Sequence, residues 1–284
     1  MKNTRNQPVN IPVSKLHPFE GHPFKVKDDE EMNTLIESVQ TQGILSPLIV
    51  RPIESTDEYE VISGHRRLHA AQKAGISEVP ALIYALDRDA AAIAVVDSNL
   101  HREHILPSER AFAYKLKMEA LSHQGRRTDL TSDQIGPKLT AATISESDSA
   151  TQVKRYIRLT HLIPELLTLM DENKMALSVG VELSFLDEQS QREVWEQCGV
   201  NDCTPSYAQT VRMRKAFSDF ALTADVIQSI MSEEKANQRE TVKIPTEKLR
   251  KFAPNADPRQ LEDFVLKACE HYRKYLICQR DRDR

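Results

Sequence analysis

No run in this 284-residue sequence approaches the roughly 20 apolar residues that cross a bilayer. The first ten residues, MKNTRNQPVN, lack the apolar core of a secretory signal. No membrane association is therefore expected. Cysteine is scarce: Cys198, Cys203, Cys269 and Cys278 have neither metal-ligand spacing nor the density of a disulfide framework. They read as reduced thiols in a cytoplasmic protein. Internal repeats are missing, and so is the dense carboxylate or histidine cluster that a two-metal nuclease needs. The net charge of −4 does not by itself announce a nucleic-acid binder. With 40% hydrophobic and 28% charged residues, the sequence is that of an ordinary globular protein, long enough for two or three domains.

What is present is unevenly distributed. Between Arg110 and Thr160, nine Lys or Arg stand against five Asp or Glu. A basic segment inside an acidic protein is an electrostatic footprint for a phosphate backbone. A second feature lies in the stretch from Tyr59 to Pro80. Tyr59 to Ile62 is a short β-prone run, Ser63-Gly64 breaks it, and Arg66 to Ala74 has helical spacing, with Leu68, Ala71 and Gln72 on a shared face. Gly75 supplies a left-handed cap, and a strand follows from Val79 to Tyr84. A strand feeding a glycine and then a helix leaves unpaired backbone N–H groups that attract anions. Arg66 and Arg67 occupy the first turn, where the helix dipole favours acids. The missing negative charge is expected to come from a ligand; the alternative is two solvated arginines on a structural helix.

The rest of the chain can be read in order. Asn10 to Val13 predicts an edge strand, and His17-Pro18 and His22-Pro23 keep the following segment extended. Asp28 or Asp29 caps a helix that Gly43 ends, Leu48 to Arg51 is a strand, and Asp87 or Asp89 starts an alanine-rich helix. Residues 1–106 thus form an α+β domain. Ser108 caps a helix that Gly125 should stop, and residues 107–203 read as all-helical: Ser132 to Leu139, a polar connector from Thr140 to Asp148, Ser149 to Leu162, Pro164 to Glu172 and Ser178 to Phe185. Residues 204–284 form a mostly helical unit. Thr204-Pro205 starts a helix there, Ala224 to Ser232 is another, and Thr241 to Ile244 is a β-prone run. Asp257-Pro258-Arg259-Gln260 then opens a long helix. Its stripe of Leu261, Phe264, Val265, Ala268, Tyr272 and Leu276 is expected to pack on its own domain rather than on a second subunit.

Three boxes carry a family resemblance: Gly43-Ile44-Leu45-Ser46-Pro47-Leu48-Ile49-Val50-Arg51, Ile62-Ser63-Gly64-His65-Arg66-Arg67-Leu68-His69-Ala70-Ala71, and Ser98-Asn99-Leu100-His101-Arg102-Glu103. In this order they resemble boxes of the ParB family of partition proteins, and the likeness extends over about the first 190 residues. It implies a ParB/sulfiredoxin-like N-terminal domain, a helix-turn-helix domain and a C-terminal unit that dimerises. The sulfiredoxins share the turn but need a cysteine before His65, where this chain has Gly64, and no cysteine precedes Cys198. By the ParB likeness, Gly43, Ser46 and Pro47, together with Gly64, His65, Arg66 and Arg67, belong to a CTP-binding site. Asn99 would hold Mg²⁺ and Arg102 would meet the triphosphate. The family's Glu is replaced twice, by Ser98 before the Asn and by His65, so hydrolysis is expected to be slow or absent. Met175 to Gly180 also resembles a family run.

The helix from Ser149 resembles the family's recognition helix. Ser149, Thr151, Gln152, Lys154 and Arg155 would reach DNA bases, since Gln pairs with adenine and Arg or Lys with guanine. Arg158 would meet phosphate. The connector before this helix is longer than a tight helix-turn-helix allows. The function this implies is a site-specific DNA-binding protein for plasmid or chromosome partition, a CTP-gated clamp associated with nucleoid or plasmid. Its partners would be double-stranded DNA with a centromere-like palindromic site, a ParA-type ATPase and a second copy as homodimer. A transcriptional regulator using the same helix, and a weak CTPase or nuclease, are the alternatives.

Overall fold

The structure, a computed structural model, describes residues 7–102, 104–129, 144–145, 148–233, 246–253 and 257–282. The chain divides into two compact units, 1–233 and 234–284. The first begins with β1 (Val9–Pro12), a 3-10 turn (Val13–Lys15), β2 (Leu16–Pro18), α1 (Glu30–Gln42), β3 (Leu48–Pro52), β4 (Tyr59–Ser63), α2 (His65–Lys73), β5 (Glu78–Ile83) and α3 (Arg88–Leu100). The strands form one mixed sheet in the order β1-β5-β3-β4-β2. Here β1–β5 and β3–β4 are antiparallel, and β3–β5 and β2–β4 parallel.

Alternation along the strands builds two layers on this sheet. Leu48, Val50 and Val61 face α1 and α2, packing with Met32, Val39, Leu68 and Ala71. Their neighbours Ile49 and Ile62 face the other way, towards Ala91, Ala92 and Val95 of α3. Local chemistry sets the ends of the helices. Asp29, not Asp28, caps α1 by accepting from the Met32 amide, and Asp87, not Asp89, caps α3 by accepting from the Ala90 amide. Gly43 and Gly75 both take positive φ where their helices end.

A buried ion pair fixes the centre of the sheet. The Arg51 guanidinium meets Glu60 at 2.6 Å across β3 and β4, with the two side chains only 11% and 6% exposed. Glu60 also accepts from the Glu20 amide at 2.8 Å, which ties the segment after β2 to the sheet.

Helix α4 (Pro107–Asp129) runs from the α/β layers into a helical array of α5 (Ala150–Leu159), α6 (Pro164–Asp171), α7 (Leu177–Leu183), α8 (Glu188–Val200), α9 (Tyr207–Ser218) and α10 (Ala224–Ser232). Their core joins Leu159, Leu166, Met170, Leu183, Val194, Met213 and Ile227. The side chain of Gln191, buried within it, accepts from the Ile163 amide and donates to the carbonyls of His161 and Leu186. At the start of α4, the Ser108 backbone and hydroxyl both donate to Asp171 at the end of α6.

Several expectations need correction. Helix α4 continues through Gly125 to Asp129, because a helical glycine costs only about 1 kcal/mol and no proline follows to stop the turn. Helix α8 was not singled out in the sequence, although Asp187 caps it conventionally by accepting from the Ser190 amide. The start of α9 is set by Ser206 and Gln209, which form a capping box, and not by Thr204-Pro205. The anticipated helix at 132–139 and the β-prone run at 241–244 lie outside the described residues.

The second unit contains α11 (Thr246–Arg250) and α12 (Pro258–Arg282). On α12, Leu261 is buried and Val265 half-buried, but Ala268 and Tyr272 are exposed. Of the stripe expected to pack on its own domain, Leu261 and Val265 are covered and Phe264, Ala268 and Tyr272 are exposed.

The Arg51–Glu60 pair yields a stability prediction. Removing one partner of a buried pair strands the other charge, at a cost of about 3–5 kcal/mol. Glu60→Ala should lower urea stability by that amount, whereas Asp57→Ala, which breaks the exposed Lys15–Asp57 pair, should leave the unfolding midpoint unchanged.

Candidate functional site

Helix α2 starts at a glycine that only a glycine can be. Gly64 has φ 106° and ψ 24°, and no side chain caps the helix. A Cβ here would lie 3.1 Å from Leu48 Cγ and 3.2 Å from an Arg67 guanidinium nitrogen. The Arg67 guanidinium crosses to the loop before β3, donating to the carbonyl of Pro47 at 2.9 Å and to that of Ser46. Burial draws the Arg67 pKa below its ordinary value, which is the cost of placing this cation against carbonyls. The first two boxes of the sequence thus become one structure.

Arg66 turns the opposite way. Its guanidinium meets Asp29 at 3.4 Å and Glu31 at 3.2 Å. The negative charge expected from a ligand is supplied here by the acidic first turn of α1. His69 and Lys73, further along α2, share Asp28 at 2.7 Å and 3.3 Å.

His65 is the first residue of α2, and its ring stacks on His22 with centroids 3.7 Å apart and planes at 35°. The Phe19 amide donates to His65 Nε2 at 3.4 Å, and His22 Nδ1 donates to the Phe24 carbonyl at 2.8 Å. Burial above all, then His22 and Arg102, hold the His65 imidazole down to about 3. Burial also lowers His22, with Arg102 acting in the same direction and the Phe24 carbonyl and Glu109 against it. The charge of Arg102 thus acts on both rings, which links the third box electrostatically to the start of α2. In the sequence His22 belongs only to an extended His-Pro segment. No spacing in the sequence links it to His65.

Asn99 lies in the last turn of α3. Its amide nitrogen donates to the Val95 carbonyl at 2.8 Å and to Ser98 Oγ at 3.2 Å, which leaves Oδ1 as its one potential metal donor. Ser98 Oγ itself donates to the Val95 carbonyl. The nearby carboxylate of Asp97 meets Lys117 at 2.6 Å. Among the described residues no group of three or more His, Cys, Asp or Glu could hold a metal. Mg²⁺ prefers one or two carboxylates with substrate phosphates, so Asn99 alone does not make a resident Mg²⁺ site.

The second candidate site is α5. Ser149 caps it, accepting from the Gln152 amide at 3.3 Å, and Val153 and Leu159 are buried. Thr151 and Lys154 are exposed, and Gln152 and Arg155 half-buried. Asp148, just before the cap, accepts from the Tyr114 hydroxyl and from Arg110 at 3.3 Å, fixing the start of α5 to α4. Burial and this bond push the Tyr114 phenol up to about 12. Arg158 is used inside the chain: it donates to Ser184 Oγ at 3.1 Å and to the Ser184 carbonyl at 2.8 Å, and lies 4.1 Å above the Phe185 ring. A phosphate contact by Arg158 would require these bonds to break. Gln152 and Arg155 lie on the same turn as Thr151 and Lys154, whereas Arg158 is drawn to the end of α7.

The fold and site define a class: an α+β domain with an uncapped, arginine-bearing helix start, joined to a helical array with a polar, basic α5. Residues 1–100 match the family model for the ParB N-terminal domain. The chromosome-partitioning protein Spo0J of Thermus thermophilus is 32% identical over 184 residues, 64% of this chain and 62% of that protein. The probable chromosome-partitioning protein ParB of Vibrio cholerae is 27% identical over 268 residues, 91% of this chain and 86% of that one. A nucleoid occlusion protein of Geobacillus is 39% identical over 119 residues, 42% of each chain, so this chain spans less than half the length of that relative. Among solved structures, C-terminally truncated ParB of Caulobacter crescentus complexed to the centromeric parS site is 21% identical. The alignment covers 78% of this chain and 98% of that one, with a TM-score of 0.41. The same protein complexed with CTP-γ-S is 24% identical, covering 67% and 97%, with a TM-score of 0.32. The ParB N-terminal domain is thus matched over the first 100 residues, and the chain as a whole is similar to ParB-type partition proteins.

His65 makes stability depend on pH. An unfolded histidine titrates near about 6.5, so between about pH 6.5 and pH 3 the unfolded state binds the extra proton. The contribution is complete above that window and is lost as the pH falls through it. Between about pH 7.5 and pH 5, the native protein should lose more urea stability than His65→Gln. Equal losses would show that the fold does not hold His65 neutral.

Proposed function

We propose that this chain is a ParB-like protein of chromosome partition or nucleoid occlusion, which binds DNA through α5 and CTP at the start of α2. The observation that carries the nucleotide half is convergence. Gly64 opens an uncapped helix start, Arg67 draws the Ser46-Pro47 loop against it, and the charge of Arg102, just after α3, acts on His65 of the first turn. Backbone N–H groups, a polar loop and a cation suit a triphosphate. The loop from Gly43 to Pro47, exposed at Leu45, is open to the base and ribose. Arg66 joins by leaving Asp29 and Glu31 for phosphate. CTP is the nucleotide because of the family likeness, and a Caulobacter ParB has been solved with CTP-γ-S. Mg²⁺ would arrive with the phosphates, which would be its main ligands, and Asn99 Oδ1 would add one more.

The DNA half rests on α5. Its N-terminal turns carry Ser149, Thr151 and Lys154, exposed, and Gln152 and Arg155, half-buried, and Asp148 ties its start to α4. A recognition helix works from its N-terminal residues in this way. A Caulobacter ParB has been solved with its centromeric parS site, and a palindromic site of that kind is the DNA expected here. A second copy would pack on the exposed stripe of α12, and a ParA-type ATPase would be the other partner. CTP would close such a dimer on DNA by binding the closed state more tightly. Turnover should be slow or absent, because Ser98 and His65 offer no carboxylate to orient water.

Two measurements test this reading. Calorimetry should show CTP with Mg²⁺ binding the native chain, with at least tenfold weaker binding in Arg66→Ala; equal, weak binding of all four nucleotides would refute a specific pocket. On DNA, Gln152→Ala or Arg155→Ala should cost about 1–3 kcal/mol on the cognate site and much less on random duplexes. An unchanged ratio of specific to non-specific affinity, titrated at several salt concentrations, would remove α5 as the reader.

A further inference from the structure

The two stacked histidines are not explained by the reading above. The Phe24 carbonyl can only accept, so His22 Nδ1 carries the ring proton and Nε2 of the neutral ring is a lone pair. That Nε2 is buried with no hydrogen-bond partner, a state that costs free energy unless something fills it. His65 Nε2 is likewise an acceptor, facing the Phe19 amide at a long 3.4 Å. His65 is the first residue of α2 and His22 stacks on it, so both rings lie at the start of that helix. The charged groups facing the rings are Arg102, which follows α3, and Glu109, from α4. Glu109 accepts from the amides of Lys25 and Leu106. Arg66 and Arg67 on the same turn are directed to Asp29 and Glu31 and to the Ser46-Pro47 loop.

We propose that His22 and His65 are ligand groups of the nucleotide site, and that a triphosphate binds there together with one proton taken up on an Nε2 of this pair. The proposal rests on the nucleotide reading. A phosphate oxygen is an acceptor and is repelled by two imidazole lone pairs. A proton turns one of them into a charged donor. A second proton is opposed by the other ring at 3.7 Å and by Arg102, so uptake stops at one. The proton supplies positive charge that the incomplete Asn99 metal site cannot. Burial, which keeps both rings neutral in the free protein, is what leaves the proton to be taken up on binding.

The test is calorimetry of CTP in excess Mg²⁺ on the native chain, near about pH 8, in two buffers of different ionisation enthalpy. There the nucleotide phosphates are fully ionised and any proton gained belongs to the protein. The dependence of heat on buffer should give about one proton per site. Affinity should rise up to about tenfold per unit fall in pH, as one linked proton requires. His22→Gln should bind more weakly, and the double variant His22→Gln/His65→Gln should bring the proton count near zero. Should that variant fold poorly, histidine ring NMR of the native chain decides: one of the two rings should carry both protons only with CTP. Binding without proton uptake overturns this proposal and leaves the nucleotide site standing. Absence of CTP binding to the native chain overturns both.

Discussion

The candidate nucleotide site depends on a cation placed against neutral carbonyls. The Arg67 guanidinium, half-buried and donating to Ser46 and Pro47, holds the loop before β3 against the start of α2. The two segments would otherwise be separate surface features. One guanidinium nitrogen, Nη1, donates to both carbonyls, and a guanidinium, more weakly hydrated than an ammonium, suits this half-buried position. Everything nearby is fitted to that contact. Gly64 has no Cβ because Leu48 and the Arg67 fork fill the space. Leu48 is itself fully buried, which anchors the loop from its other end.

A second constraint links this site to α5. Helix α4 touches both layers. Glu109 near its start accepts from the Lys25 and Leu106 amides, and Ser108 holds Asp171 of α6. The adjacent Arg110 and, just over a turn further on, Tyr114 grip Asp148 ahead of α5. A movement at the nucleotide site that shifted the segment carrying Phe24 and Lys25 would thus reach α5 through one rigid rod.

The sequence revealed the features that depend on neighbouring residues. The caps, narrowed to Asp28 or Asp29 and to Asp87 or Asp89, the glycines that end α1 and α2 and the strand-glycine-helix turn at Gly64 are all decided within a few residues. The three boxes were legible as family patterns, but not their convergence, which needs the β3–β4–α2 geometry. The stacking of His22 on His65 was hidden for the same reason: nothing local requires it. Arg158, expected to meet phosphate, is held by Ser184 and Phe185, far along the chain, contacts that no local spacing reveals. Gly125 misled in the opposite sense. A local preference worth about 1 kcal/mol was treated as a stop signal.

The central claim is that three separated segments make one nucleotide site. Amide hydrogen exchange of the full chain with and without CTP tests it most directly. The account predicts added protection at 43–48, 64–68 and 99–102, with residues 188–232 unchanged. Unaltered exchange at 43–48 and 64–68, with CTP demonstrably bound and protection appearing elsewhere, would contradict it.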